Sequence, residues 1–144
     1  MLKNIPAIIS PELLKTLIEM GHGDEIVLAD GNFPAASHAS HLIRCDGHGI
    51  PEILDAILQL MPLDTYVEYP ISLMAVSQGD DLKPVIWDEY KKVIEKNSDV
   101  KHGIQMLERF KFYEHAKRAY AIVASGESAL YANVILKKGV IENN

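Results

Sequence analysis

Apolar positions recur along this chain with two different periods, and the switches between them mark its elements. Leu13, Leu14, Leu17 and Ile18 repeat at helical spacing. They follow Ser10-Pro11-Glu12, which reads as an N-cap, a first helical residue and a first-turn acid. Gly21 is placed to end that helix. Residues 25–29 form a short apolar run typical of a buried strand, broken by Gly31-Asn32-Phe33-Pro34. Residues 35–40 are small and read as a loop, and 41–45 as a short strand. Ile50-Pro51-Glu52 opens a second helix whose Ile53, Leu54, Ile57, Leu58 and Met61 share a face up to Pro62. Residues 67–76 are rich in β-formers but contain Pro70, which predicts two pieces or an edge strand. Gly79-Asp80-Asp81 is a turn. Trp87, Tyr90, Val93 and Ile94 mark a third helix, and 104–107 a strand. Residues 110–119 predict a fourth helix with Phe112, His115, Ala116 and Ala119 inward. Strands at 121–124 and 133–136, joined through a turn at 125–128, complete the chain. Alternation of strands and helices predicts an α/β layered domain over residues 1–144, with no repeat, linker or low-complexity segment.

Composition narrows the class. A chain of 144 residues that is 48% hydrophobic suits one domain with a single core. A net charge of −6 argues against nucleic acid as a partner. No apolar run approaches a bilayer span, and the N-terminus lacks a basic region followed by a long apolar one, so a soluble, cytoplasmic protein is expected. The single cysteine, Cys45, forms no intrachain disulfide and suits a reducing compartment, where it reads as a small core residue.

Candidate chemistry concentrates in residues 20–34. His22 lies between Gly21 and Gly23, where backbone can approach a ligand closely, and Asp30 follows the strand. A histidine and an acid are a minimum kit for moving protons on a small molecule, although a solvated turn explains a glycine-flanked histidine equally well. Just beyond a helix C-terminus, the dipole favours a protonated imidazole and hence a proton donor. The eight residues from His22 to Asp30 can span roughly 27 Å when extended. The two share a site only if the chain folds back or a second subunit supplies one of them. A second set is Arg109, Tyr113, Tyr131 and Asn133. Arg109 and Tyr113 stand one turn apart if the helix begins by Arg109, and Tyr131 and Asn133 point the same way if both lie on a strand. Such side chains read sugar hydroxyls well. The alternative is that Arg109 pairs with a surface acid and the tyrosines are half-buried core. Among the six histidines, His38, His41 and His48 sit in loop-like sequence without a carboxylate or thiolate at useful spacing, so no metal is expected. Gly21-x-Gly23 and Gly47-x-Gly49 lack a third glycine, and there is neither a phosphate loop nor a nucleophile elbow, so no cofactor is expected.

Four segments carry a family resemblance. They are residues 20–30 with Phe33-Pro34; Ile43-Arg44-Cys45-Asp46-Gly47 with Ile50-Pro51; Pro62-Leu63-Asp64-Thr65-Tyr66-Val67-Glu68; and 108–113 running on to Gly139. Together they resemble the fucose mutarotase branch of the ribose pyranase and fucose mutarotase family over nearly the whole chain. The resemblance implies a ribose pyranase-like fold, helices on a mixed sheet, and cofactor-free interconversion of the α and β anomers of L-fucose. It implies His22 as proton donor, Asp64 and Tyr113 as further catalytic positions, and Asp30, Met74, Arg109, Tyr113, Tyr131 and Asn133 as sugar contacts. It also implies a closed ring of subunits, typically a decamer, with sites near subunit boundaries. Pyranose–furanose interconversion of D-ribose, or sugar binding without catalysis, are the alternatives. One departure stands out: the family pattern reads Tyr-Gly-Asn where this chain has Tyr131-Ala132-Asn133. If that glycine carries positive φ or lets backbone approach the sugar, Ala132 disturbs the site.

Overall fold

A computed structural model describes residues 1–143. Five helices, α1 (Pro11–Glu19), α2 (Ala35–His38), α3 (Ile50–Leu58), α4 (Ile86–Lys96) and α5 (Arg109–Arg118), pack on one sheet. Its six strands are β1 (Glu25–Ala29), β2 (Leu42–Cys45), β3 (Ile71–Met74), β4 (Ile104–Leu107), β5 (Ala121–Ser125) and β6 (Val134–Lys137), in the order β2-β5-β1-β6-β3-β4. All run parallel except β6, which pairs antiparallel with β1 on one side and β3 on the other.

Strand alternation divides the interior into two layers. Ile26 and Leu28 of β1, Val123 of β5 and Val134 and Leu136 of β6 face α1, α3 and α4, where Leu13, Leu17, Leu54, Ile57 and Tyr90 meet them. Val27, Ala29, Ile122 and Ile135 face the opposite side and pack against Ala35 of α2 and Phe112 and Ala116 of α5. With apolar residues on both faces, the central strands read as continuous hydrophobic runs.

Several local expectations need correction. Ser10 does cap α1, its side chain accepting from the Leu13 amide at 3.1 Å, but Ile18 is 72% exposed and contributes nothing to the core. The helix stops at an extended Met20 (ψ 134°), and the left-handed glycine is Gly23 (φ 85°) rather than Gly21. Residues 35–38 form the short helix α2 instead of a loop. Strand β3 is interior, between β6 and β4, because Pro70 falls one residue outside it. The Pro70 carbonyl still accepts from the Lys137 amide at 2.8 Å, so the missing donor costs the ladder nothing. Tyr131 and Asn133 precede β6 and do not share a strand face.

Candidate active site

One cluster forms where β1 and β3 begin, along an edge made by strand ends and not by an edge strand. His22 stands before β1 and Asp64 before β3, 42 positions apart, and β6 running back between those strands brings them together. The Asp64 amide donates to the Lys137 carbonyl at 3.0 Å, while the Gly23 amide donates to the Lys138 carbonyl at 2.8 Å. His22 Nε2 then lies 3.0 Å from Asp64 Oδ1, which also accepts from the Tyr66 amide at 3.0 Å. The Asp64 side chain is 3% exposed and that of His22 45%. Burial alone would raise the Asp64 carboxyl, but the Tyr66 amide, His22 and Lys137 together hold it below the ordinary carboxylate range. Asp64 is therefore an anion at neutral pH and can only accept. The proton between the two sits on Nε2, and Nδ1 remains for a ligand. The Tyr66 ring tilts over the imidazole with centroids 5.4 Å apart. Tyr66 was missing from the candidate residues. Its signal is the Asp64-Thr65-Tyr66 turn, in which an aspartate takes the amide two residues on.

The remaining candidates gather at the opposite edge, where β1, β3 and β4 end and β6 begins. Asp30 closes β1; its amide donates to Asn133 Oδ1 at 2.8 Å, and its own Oδ1 accepts from the Asn32 amide at 3.0 Å. Burial pushes the Asp30 carboxyl up, against the pull of the Asn32, Ala132 and Phe33 amides and the Asn133 side chain. Met74 ends β3 and is buried with Phe33, Phe112 and the half-buried Tyr113 and Tyr131. Arg109 opens α5 with its guanidinium 4.8 Å from the Phe110 ring centre. Tyr113, one turn on, packs edge-on against Phe33 at 5.4 Å and His38 at 5.3 Å. Its placement fits both the sugar-reading and the half-buried-core expectation.

Tyr131 adopts a left-handed backbone (φ 56°). Its carbonyl accepts from Trp87 Nε1 at 2.8 Å, and its hydroxyl donates to Asp80 at 2.9 Å. Those contacts hold a conformation a bulky residue rarely adopts. The strained position is thus Tyr131, while Ala132 has its methyl in the main core and its carbonyl bound by the Tyr90 hydroxyl at 2.6 Å. Alanine at 132 therefore sits at a buried position without positive φ. No run of polar residues announces the partners Trp87 and Asp80.

The two clusters do not meet within one chain. The five residues of β1 alone separate them by roughly 17 Å, at about 3.3 Å per residue, which a single sugar ring cannot bridge. His38 lies against Phe33 and Tyr113, whereas His41 stacks on Tyr120 at 4.9 Å. Among the described residues no three His, Cys, Asp or Glu side chains converge to hold a metal. No helix among them is long and apolar enough to cross a membrane.

The sequence profile of the RbsD / FucU transport protein family matches residues 3–141. The chain belongs to that family. Within the RbsD / FucU proteins, it is 51% identical to the fucose mutarotase of Homo sapiens over 99% of this chain and 96% of that one. The crystal structure of the fucose mutarotase from Streptococcus pneumoniae in complex with L-fucose superimposes with a TM-score of 0.93 at 61% identity, covering 98% of this chain and 100% of that one. The Bacillus subtilis RbsD structure, complexed with D-ribose, is more distant: TM-score 0.74 and 25% identity over 99% and 100% of the two chains.

Proposed function

We propose that this chain interconverts the α and β anomers of L-fucose by acid–base catalysed opening and reclosure of the sugar ring. The observation that carries the reading is the His22–Asp64 pair. A buried carboxylate fixes the imidazole through Nε2 and leaves Nδ1 free of that bond on a half-exposed ring. The relatives named fucose mutarotase, one of them solved with L-fucose, supply the sugar.

In the proposed step, protonated His22 gives its Nδ1 proton to the ring oxygen while a base removes the proton of the anomeric hydroxyl. The bond between C1 and the ring oxygen breaks to give an aldehyde. Rotation about the bond to C1 presents its other face, and the reverse transfers close the ring. General acid–base assistance contributes about 10²–10⁴-fold. Asp64 orients His22 through Nε2. Tyr113 serves as the partner that accepts or relays the second proton, and Asp30, Met74, Arg109, Tyr131 and Asn133 grip the sugar. The two clusters lie on opposite edges, so the working site pairs the His22 edge of one subunit with the Asp30 edge of its neighbour. A head-to-tail interface of that kind closes into a ring, and a decamer is the expected size. The reaction needs no cofactor, and a reducing cytoplasm suits the half-buried thiol of Cys45.

D-ribose pyranase activity is the second reading, favoured by the D-ribose complex of the more distant relative. NMR saturation transfer between anomeric protons, with and without protein, decides between them. Faster exchange of L-fucose supports the proposal, and faster exchange of D-ribose alone replaces it with the second reading. Binding of sugar without acceleration makes the chain a binding subunit.

A further inference from the structure

We infer that Lys138 is a positioning residue for the His22–Asp64 pair, tying the end of α1 to the strand end on which the Asp64 loop rests. The inference rests on the reading of His22 as the acid. The last turn of α1 contains no basic residue, and its final carbonyls need donors. Lys138 reaches across from the end of β6 and supplies them: its ammonium donates to the carbonyls of Leu17, at 2.7 Å, and of Met20. Met20 is two residues before His22.

The backbone around Lys138 holds both loops. Its amide donates to the Asp24 carbonyl and its carbonyl accepts from the Gly23 amide, each at 2.8 Å. On the other side the Gly139 amide donates to the Pro62 carbonyl at 2.8 Å, beside the Leu63–Lys138 bridge. A Cβ on Gly139 would lie 2.5 Å from the Leu63 carbonyl oxygen and 2.9 Å from Asp64 Cα, so the two segments touch backbone to backbone. Residues 137–139 are therefore a common support, and the 3.0 Å separation of His22 and Asp64 is set across it. The Lys138 ammonium is what fixes α1 to that support. It also offsets the negative end of the helix.

Lys138→Met keeps the aliphatic stem but removes the donors. It is expected to lower kcat for L-fucose anomer exchange about 10- to 100-fold with KM little changed, since misplacement near the reacting atoms costs that much. Lys138→Arg, which can still reach two carbonyls, restores most of the loss. Lys138→Gln keeps a side-chain donor and guards against a Met variant that fails to fold; it is expected to fold, with a kcat between those of Met and wild type. His22→Ala runs beside them. Reduced stability with wild-type kcat in Lys138→Met, or in Lys138→Gln should the Met variant unfold, while His22→Ala is inactive, gives Lys138 a structural role only and overturns the inference. Wild-type exchange by His22→Ala removes the acid reading itself and this inference with it.

Discussion

On the proposed mechanism, replacement of His22 by alanine should separate catalysis from folding, and the structure sets what each should cost. The imidazole is half exposed and fills no part of either core layer, so its loss opens no cavity. Its one tight contact is to Asp64, whose carboxylate keeps the Tyr66 amide when His22 is gone. Removing a partner from a buried charged group costs about 1–3 kcal/mol. Here the low end applies, because the vacated space adjoins solvent and water can take the acceptor. About 1 kcal/mol corresponds to a fall in Tm of roughly 3 °C for a domain of this size. Loss of the acid, by contrast, should reduce anomer exchange about 10²–10⁴-fold. Saturation transfer on L-fucose, circular dichroism and light scattering on the same sample read all three quantities. The reasoning is refuted if His22→Ala is folded and assembled yet exchanges anomers at the wild-type rate. The proton would then come from elsewhere, with Tyr113 the first group to test.

Asp64→Asn should keep a hydrogen bond to Nε2 but lose its charge-assisted strength and the hold on the ring, lowering kcat about 10- to 100-fold, as expected for a charge-assisted bond. Because the folded Asp64 carboxyl is held down, its contribution to stability is present above the ordinary value of about 3.9 and is lost as pH falls through the depressed folded value. Urea unfolding of wild type and Asp64→Asn across that window should show a shallower acid slope in the variant. The raised Asp30 carboxyl acts with the opposite sign in both proteins and drops out of the difference. Asn133→Ala leaves the buried Asp30 amide without its acceptor. It should cost about 1–3 kcal/mol in thermal unfolding and raise KM more than it lowers kcat. Ala132→Gly removes a core methyl at a position without positive φ, so it should lower stability by about 1 kcal/mol and leave the exchange rate unchanged.

Local chemistry was legible along the chain, and chemistry that depends on distant pairing was not. The Ser10 cap, the β1 run and the apolar faces of α3 and α4 are set by neighbours a few positions away, and they form as their spacing predicts. Pro70 misled because a proline blocks a strand only where its missing donor falls inside the ladder, and here it falls one residue short. The left-handed Tyr131 is held by Trp87 and Asp80, more than forty positions away, and nothing local signals it. Individual candidate residues stood out by type, but their grouping depended on topology. His22 meets Asp64 only because antiparallel β6 lies between β1 and β3, and Asp30 meets Asn133 across 103 positions for the same reason. Spacing raised the separation of His22 and Asp30 as a problem, and the strand between them keeps them apart.

Co-expression of two inactive variants tests the central claim most directly, namely L-fucose anomer exchange at a site completed by two subunits. One variant carries His22→Ala, the other Arg109→Ala together with Asn133→Ala. Every chain in the mixture then has a lesion at one edge. If each site joins the His22 edge of one subunit to the Asp30 edge of the next, random assembly leaves roughly a quarter of the sites intact. Assayed with L-fucose far below KM, where loss of grip suppresses exchange as loss of the acid does, the mixture should reach about a quarter of the wild-type rate, with each variant alone near zero. A mixture as inactive as its parents, in rings that demonstrably contain both chains, would contradict the account.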